Sequence, residues 1–143
     1  MRQIQYKMQA RHILLLLLGL SFLSACREET EPERVAETFL SAYVDFRFSD
    51  AESLSAEGVQ GILQWRASQL TQAELEMVAD EEPQVETCEV ESYGDSAVVD
   101  LEARNVLLLD SIGLPGHVGE QRYRVVLKKN EDRNWIVTAL VEL

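Results

Sequence analysis

Few residues in this 143-residue chain have a type and spacing that could do chemistry. Beyond residue 26 there remain one thiol, Cys88, and one histidine, His117. That is too few for a zinc site, whose ligands come as four nitrogens and sulfurs in close-spaced pairs. Glu28, Glu29 and Glu31, and Glu74, Glu76, Asp80, Glu81 and Glu82, form acidic runs that could collect Ca²⁺. They lack the glycine-turned loop of a calcium site and read as solvated surface. No G-x-x-x-x-G-K, G-x-G-x-x-G or G-x-S-x-G occurs, so there is no phosphate cradle, dinucleotide turn or nucleophile elbow. His117 falls in the turn-like Ile112-Gly113-Leu114-Pro115-Gly116-His117, a solvated position. Cys88 lies beside Val90 in a strand-like stretch and is expected to be a buried, inert thiol. The chemistry-bearing set is thereby reduced to Cys26 and to the side chains Tyr43, Asp45, Asp100 and Tyr123.

Cys26 stands where the chain changes character. Residues 1–12 hold Arg2, Lys7 and Arg11 and no acid; Ile13 to Leu23 is then apolar except for Gly19 and Ser21. A basic start, a short apolar run and small residues at its end are the layout of a signal peptide. As a helix that run rises only ~16 Å, about half of what crossing a bilayer core requires. Leu23-Ser24-Ala25-Cys26 resembles the lipobox of bacterial lipoproteins: an aliphatic residue, two small ones, then cysteine. The resemblance implies cleavage before Cys26, a diacylglycerol on its thiol and an N-acyl chain on its new amino group. Two or more acyl chains anchor a protein firmly to a membrane. No other cofactor is expected. Arg27-Glu28-Glu29 is similar to the charged triplets that follow the cysteine in surface-bound lipoproteins of the Bacteroidetes type, which favours the outer over the inner membrane of the cell envelope. Three segments follow: a signal peptide at 1–25, a lipidated cysteine and short acidic tether at 26–31, and a single domain at 32–143.

Cleavage would leave 10 basic residues against 25 acidic ones, a formal charge of −15. Such a field repels phosphates, so nucleic acid is excluded as a partner, as are anionic head groups. The tether is short, and at ~3.3–3.6 Å per residue it holds the domain within about 20 Å of the bilayer.

The elements that must position the tyrosines and aspartates are legible in the pattern. Thr30-Glu31-Pro32-Glu33 has capping-box spacing, and Val35, Phe39, Ala42, Tyr43 and Phe46 then share a helical stripe, giving a helix over 32–46. Ser49-Asp50-Ala51-Glu52 repeats the capping pattern ahead of a short helix. Val59, Ile62, Leu63, Arg66 and Leu70 define a third helix, and Thr71-Gln72-Ala73-Glu74 caps a fourth. Beyond Pro83 the period becomes two. A strand is expected over 86–93, irregular because Val85 is out of phase with Cys88 and Val90. Gly94-Asp95 is a hairpin turn. Ala97, Val99, Leu101 and Ala103 face inward on the second strand and Tyr123, Val125 and Leu127 on the third. Asn130-Glu131-Asp132-Arg133 turns the chain. Trp135, Val137, Ala139 and Val141 face inward on the fourth strand, with Val126, Ile136 and Leu140 on the opposite face. Helices followed by an antiparallel meander make an α+β fold.

The helix Glu37-Thr38-Phe39-Leu40-Ser41-Ala42-Tyr43, the following Ser49 to Leu54, and the closing hairpin from Leu127 through Trp135 to Val137 resemble the nuclear transport factor 2-like (cystatin-like α+β) superfamily. They are similar to small lipoprotein domains of unknown function within it. The resemblance implies helices packed on a curved, cone-shaped sheet of about four strands. Three functions are compatible with it. A ketosteroid-isomerase-like enzyme would need an aspartate base and a neutral donor such as tyrosine facing an apolar cavity. Tyr43 and Tyr123 suit the donor, but Asp100 alternates to the wet face and Asp45 only flanks the helical stripe. A small apolar ligand could instead be held by Tyr43, Trp65, Tyr123 and Trp135. A non-catalytic interaction or accessory module would use its outer surface. There Val126, Ile136, Leu140 and the run Val106-Leu107-Leu108-Leu109 would be covered by a homodimer or an envelope protein, unless that run is a buried continuation of strand 2. The third reading is favoured.

Overall fold

A computed structural model describes residues 30–109 and 114–143. The export segment, with Leu23, Ser24, Ala25 and Cys26, lies outside the described residues, as do Ile112 and Gly113. Four helices precede four strands: α1 (Pro32–Val44), α2 (Phe48–Ser53), α3 (Glu57–Gln69), α4 (Gln72–Val78), β1 (Gln84–Tyr93), β2 (Ser96–Leu108), β3 (His117–Lys129) and β4 (Trp135–Glu142). The strands form one antiparallel sheet in chain order, β1-β2-β3-β4. Among the described residues no helix is long and apolar enough to cross a membrane.

The helix α1 crosses the inner face of the sheet and touches all four strands. It buries Val35, Ala36, Phe39, Leu40, Ala42, Tyr43 and Val44 against Ala97, Val99, Leu101, Ala103, Tyr123, Val125 and Leu127. The expected capping box at Thr30 does not form. Glu31 is the N-cap, without a side-chain bond, and Pro32 opens the helix where its missing N–H costs nothing. The helix also stops two residues short of 46. Phe46 adopts φ 59°, its N–H reaching Tyr43 O, while Arg47 N–H reaches Ala42 O at 2.9 Å. That pair of bonds is a Schellman motif with phenylalanine in the left-handed seat usually kept for glycine. The Phe46 ring lies tilted against Phe48, 6.3 Å between centroids. The motif expected at Ser49 is also absent as a cap, because α2 begins one residue earlier behind Arg47. By contrast Thr71 does cap α4. Its hydroxyl accepts from Glu74 N–H at 3.3 Å, and Glu74 Oε2 accepts from Thr71 N–H at 2.9 Å.

Three register shifts bend the sheet. The first lies between Thr87 and Glu89, the position of the phase slip in the sequence, and leaves Cys88 as the extra residue. Cys88 is exposed, not buried as expected, because as the extra residue of the bulge it has no partner residue on β2. The second shift lies between Ala103 and Val106, with Asn105 at φ 57°. Beyond it Val106 and Leu107 are buried, so the apolar run is a continuation of strand 2 and not a contact patch. The third doubles residues on β4 at Thr138: Val126 pairs with Ala139 but Leu127 with Val137. This reverses the expected faces of the last residues. Leu140 stands opposite Val125 and packs on the core, while Val141 is 47% exposed. The link from α2 to α3 lies along β4, where Val137 N–H donates to Leu54 O and Ala56 N–H to Val137 O, both at 2.8 Å.

Candidate functional site

The inner face near the C-terminal end of β4 gathers polar groups from four elements. Tyr43 comes from the buried stripe of α1, and Tyr123 from the inward register of β3. Their rings meet edge to face, 6.1 Å apart at 78°. Phe39 stacks on Tyr43 at 6.3 Å, and Phe48 meets it edge-on at 6.3 Å. Arg66 reaches over from α3, its guanidinium carbon 5.9 Å from the Tyr43 ring centre. Glu142 pairs opposite Tyr123 on β4, brought to the inner face by the Thr138 bulge, and is exposed.

Burial sets the chemistry of the two phenols. It pushes the Tyr43 hydroxyl up in pKa, with Arg66 pulling down and Glu142 pushing up more weakly. Tyr123 is raised far above the ordinary tyrosine range, again by burial first and then by Tyr43 and Glu142. Both are neutral hydrogen-bond donors at any physiological pH. Arg66 is buried, donates from Nη2 to Leu107 O at 2.8 Å, and has an Nε with no partner. Behind it Glu74 is also buried, and its Oε1 accepts from Gly116 N–H at 3.3 Å. Its carboxyl is held below the usual glutamate range, foremost by the Thr71 N–H, then by the Thr71 hydroxyl; Gly116 and the Arg66 charge add less.

Of the residues singled out in the sequence, Tyr43 and Tyr123 come together. Trp65 and Trp135 do not join them. Trp65 is 53% exposed on the far side of α3. Trp135 is buried beside Lys129, whose Nζ lies 5.1 Å from the ring centre, at the opposite end of β4 from Glu142. Asp45 follows α1 and pairs with Arg47 at 3.1 Å. Asp100 is on the outer face, as the alternation required, yet nearly sealed there. Arg124 grips it with Nε and Nη2 at 2.7 and 2.8 Å, which lowers its pKa. Neither aspartate faces the tyrosines. His117 opens β3 and is exposed. Sequence reasoning passed over Arg66 as a functional residue, although its signal was visible: a charge on the apolar stripe of α3. Glu142 was hidden by the bulge.

No family model and no curated protein matches the chain. Solved structures do. A ketosteroid isomerase-like protein from Erwinia carotovora atroseptica aligns over 82% of this chain and 98% of its own, at 12% identity and a TM-score of 0.53. The likeness is one of fold, helices packed on a four-stranded antiparallel sheet. A protein from Campylobacter jejuni described as an NTF2-like transpeptidase aligns over 77% of this chain and 99% of its own, at 17% identity and a TM-score of 0.49. A SEC-C motif containing protein from Rhodopseudomonas palustris aligns over 85% of both chains, at 15% identity and a TM-score of 0.51. Likeness at such identities is one of α+β architecture alone; chemistry belongs to the site and not to the scaffold.

Proposed function

We propose that this chain is an envelope lipoprotein whose NTF2-like domain is a non-catalytic interaction or accessory module. Export through residues 1–25 and acylation of Cys26 would fasten it to the membrane, with the outer membrane favoured. The observation that carries the non-catalytic half is the placement of the two aspartates; the carboxylate that does reach the tyrosines, Glu142, is exposed at the end of β4. A proton-transfer site of the ketosteroid-isomerase kind needs an aspartate poised against the phenols. Asp45 is instead paired with Arg47, and Asp100 is locked to Arg124 on the other side of the sheet. The lipoprotein half is supported by Leu23-Ser24-Ala25-Cys26 and by the short acidic stretch before α1.

Metabolic labelling with an alkyne fatty acid, followed by membrane fractionation, tests this. The wild-type chain should carry label and sediment with the outer membrane, and Cys26→Ala should lose both. Label retained on Cys26→Ala, or an unlabelled wild type, overturns the proposal.

A further inference from the structure

Strand β1 has a neighbouring strand on one side only. No backbone group of Glu89 to Tyr93 bonds to a described residue outside β1 and β2. Every residue from Cys88 to Tyr93 is exposed, including Val90 and Ser92, whose cross-strand partners Val99 and Ala97 belong to the buried inner face. Past the bulge at Cys88 the pairing with β2 runs without a shift to the hairpin turn, so Glu89 to Tyr93 is an unbroken template. At such a margin an extended peptide adds as a further strand. Main-chain bonds then supply affinity, and alternate side chains choose the partner.

The side chains here choose by charge. Glu89 and Glu91 stand on the outer face, opposite Asp100 and Val98. Neither is in an ion pair with a described residue; Glu91 accepts the Tyr93 hydroxyl at 2.8 Å. Arg124 feels both carboxylates through space, but its fork is closed on Asp100. The two glutamates border a groove of about 210 Å³ whose other walls are Val98, Asp100 and Arg124. With Arg124 and Asp100 answering each other, the groove keeps the charge of the glutamates. Val98 suits the aliphatic stem of a long basic side chain, and the glutamates suit its head. A second copy of this chain is the wrong occupant. Pairing β1 with β1 antiparallel about Val90 would set Glu89 against Glu91 twice, and like charges directly opposite destabilise a strand pair.

We propose that Glu89 to Tyr93 of β1 receives an extended segment of a basic partner protein, added as a fifth strand, with a lysine or arginine reaching the Val98 groove between Glu89 and Glu91. An apolar residue next to that base lies against Val90, which is 38% exposed. This gives the interaction-module reading its partner chemistry and is independent of lipid attachment at Cys26: an unacylated chain would leave it standing, and its own failure would leave the labelling result untouched.

The test uses the purified full chain in nonionic detergent and a capped, fluorescein-labelled heptapeptide, Thr-Lys-Val-Lys-Val-Lys-Thr, with binding read by fluorescence anisotropy. The lysine peptide should bind, and the same peptide with glutamate for lysine should not. The lysine peptide N-methylated at every residue keeps its charge but has no amide to donate, and should lose binding. Glu89→Gln with Glu91→Gln should weaken the lysine peptide only several-fold, since exposed ion pairs are worth little each. Glu131→Gln with Asp132→Asn, which takes as much charge from the β3–β4 turn, should leave binding unchanged. Glu89→Lys with Glu91→Lys should reverse the preference to the glutamate peptide. The β1 amides should gain protection from hydrogen exchange when the lysine peptide binds, and those of β3 should not. No binding of the lysine peptide at millimolar concentration overturns the proposal. Equal binding of the N-methylated peptide reduces the contact to charge attraction and overturns strand addition. Equal weakening by the two neutralising pairs overturns the place.

Discussion

The two faces of the sheet each hold a nearly sealed charge and treat it in opposite ways. On the outer face Asp100 lies under Arg124, with both carboxylate oxygens bonded by one planar fork. On the inner face Arg66 lies over Tyr43 with one neutral acceptor and an orphan Nε. The surroundings make the contrast sharper. The outer face of β2 and β3 is charged, with Glu102, Arg104, Arg122 and Arg124 beside Asp100, and water could have served that carboxylate. The inner face is apolar, with Val99, Leu101, Val125 and Leu127 wholly buried, and there the guanidinium has the Leu107 carbonyl, the Tyr43 ring face and, through space, the Glu74 carboxylate. The outer charge is closed by a two-bond fork, while the inner one leaves a single nitrogen, Arg66 Nε, without a partner.

The largest expected effect lies at the centre of the inner face. Phe39→Ala removes a fully buried ring that α1 presses between Tyr43 and the sheet, and should cost about 3–5 kcal/mol in urea unfolding. A loss under about 1 kcal/mol would mean that α1 is not the lid of this core. A smaller effect is expected at the outer pair, and it depends on pH. Arg124 depresses the Asp100 carboxyl, so the pair stabilises the fold above the ordinary aspartate range and the benefit is lost as pH falls through the depressed value. Asp100→Asn should therefore lower the urea midpoint at pH 7, while the two curves converge as the pH falls below the ordinary aspartate range and through the depressed value. Curves that stay parallel would show that the fork contributes no charge-dependent stability. The smallest effect is expected at the β1 edge. Cys88→Ser should change stability by less than about 0.5 kcal/mol, and the folded wild type should react with Ellman's reagent at that thiol, which a buried sulfur would not.

Strict alternation made β2 and β3 readable, and their inward sets are the buried ones. The stripe of α1 was mostly plain: Val35, Phe39, Ala42 and Tyr43 are buried, while Phe46, expected on it, lies beyond the helix end and is only half-buried. What the pattern could not carry was the insertion of single residues. At Cys88 the slip showed as a phase error, because apolar residues flank it on both sides. At Thr138 it did not show, because Ala139 and Val141 are as apolar as Leu140, and either parity reads as a strand. Backbone hydrogen bonding chose between them. It carried Glu142 to the tyrosines, which no side-chain periodicity could forecast. The helix starts failed for a related reason: at Thr30 and Ser49 the residue types suit a cap, but Pro32 and the turn at Phe46 set the boundaries first.

The link between α2 and α3 that bonds to Val137 has a bearing on self-association. A four-stranded sheet ordinarily has two margins at which another chain could add and extend it into a fibre. Here the β4 margin is taken at Val137 by the chain's own Leu54 and Ala56. The β1 margin is left to Glu86, Glu89, Glu91 and the kink at Cys88. A strand approaching the sheet meets a strip of negative charge at one margin and, at Val137, backbone bonds already taken at the other.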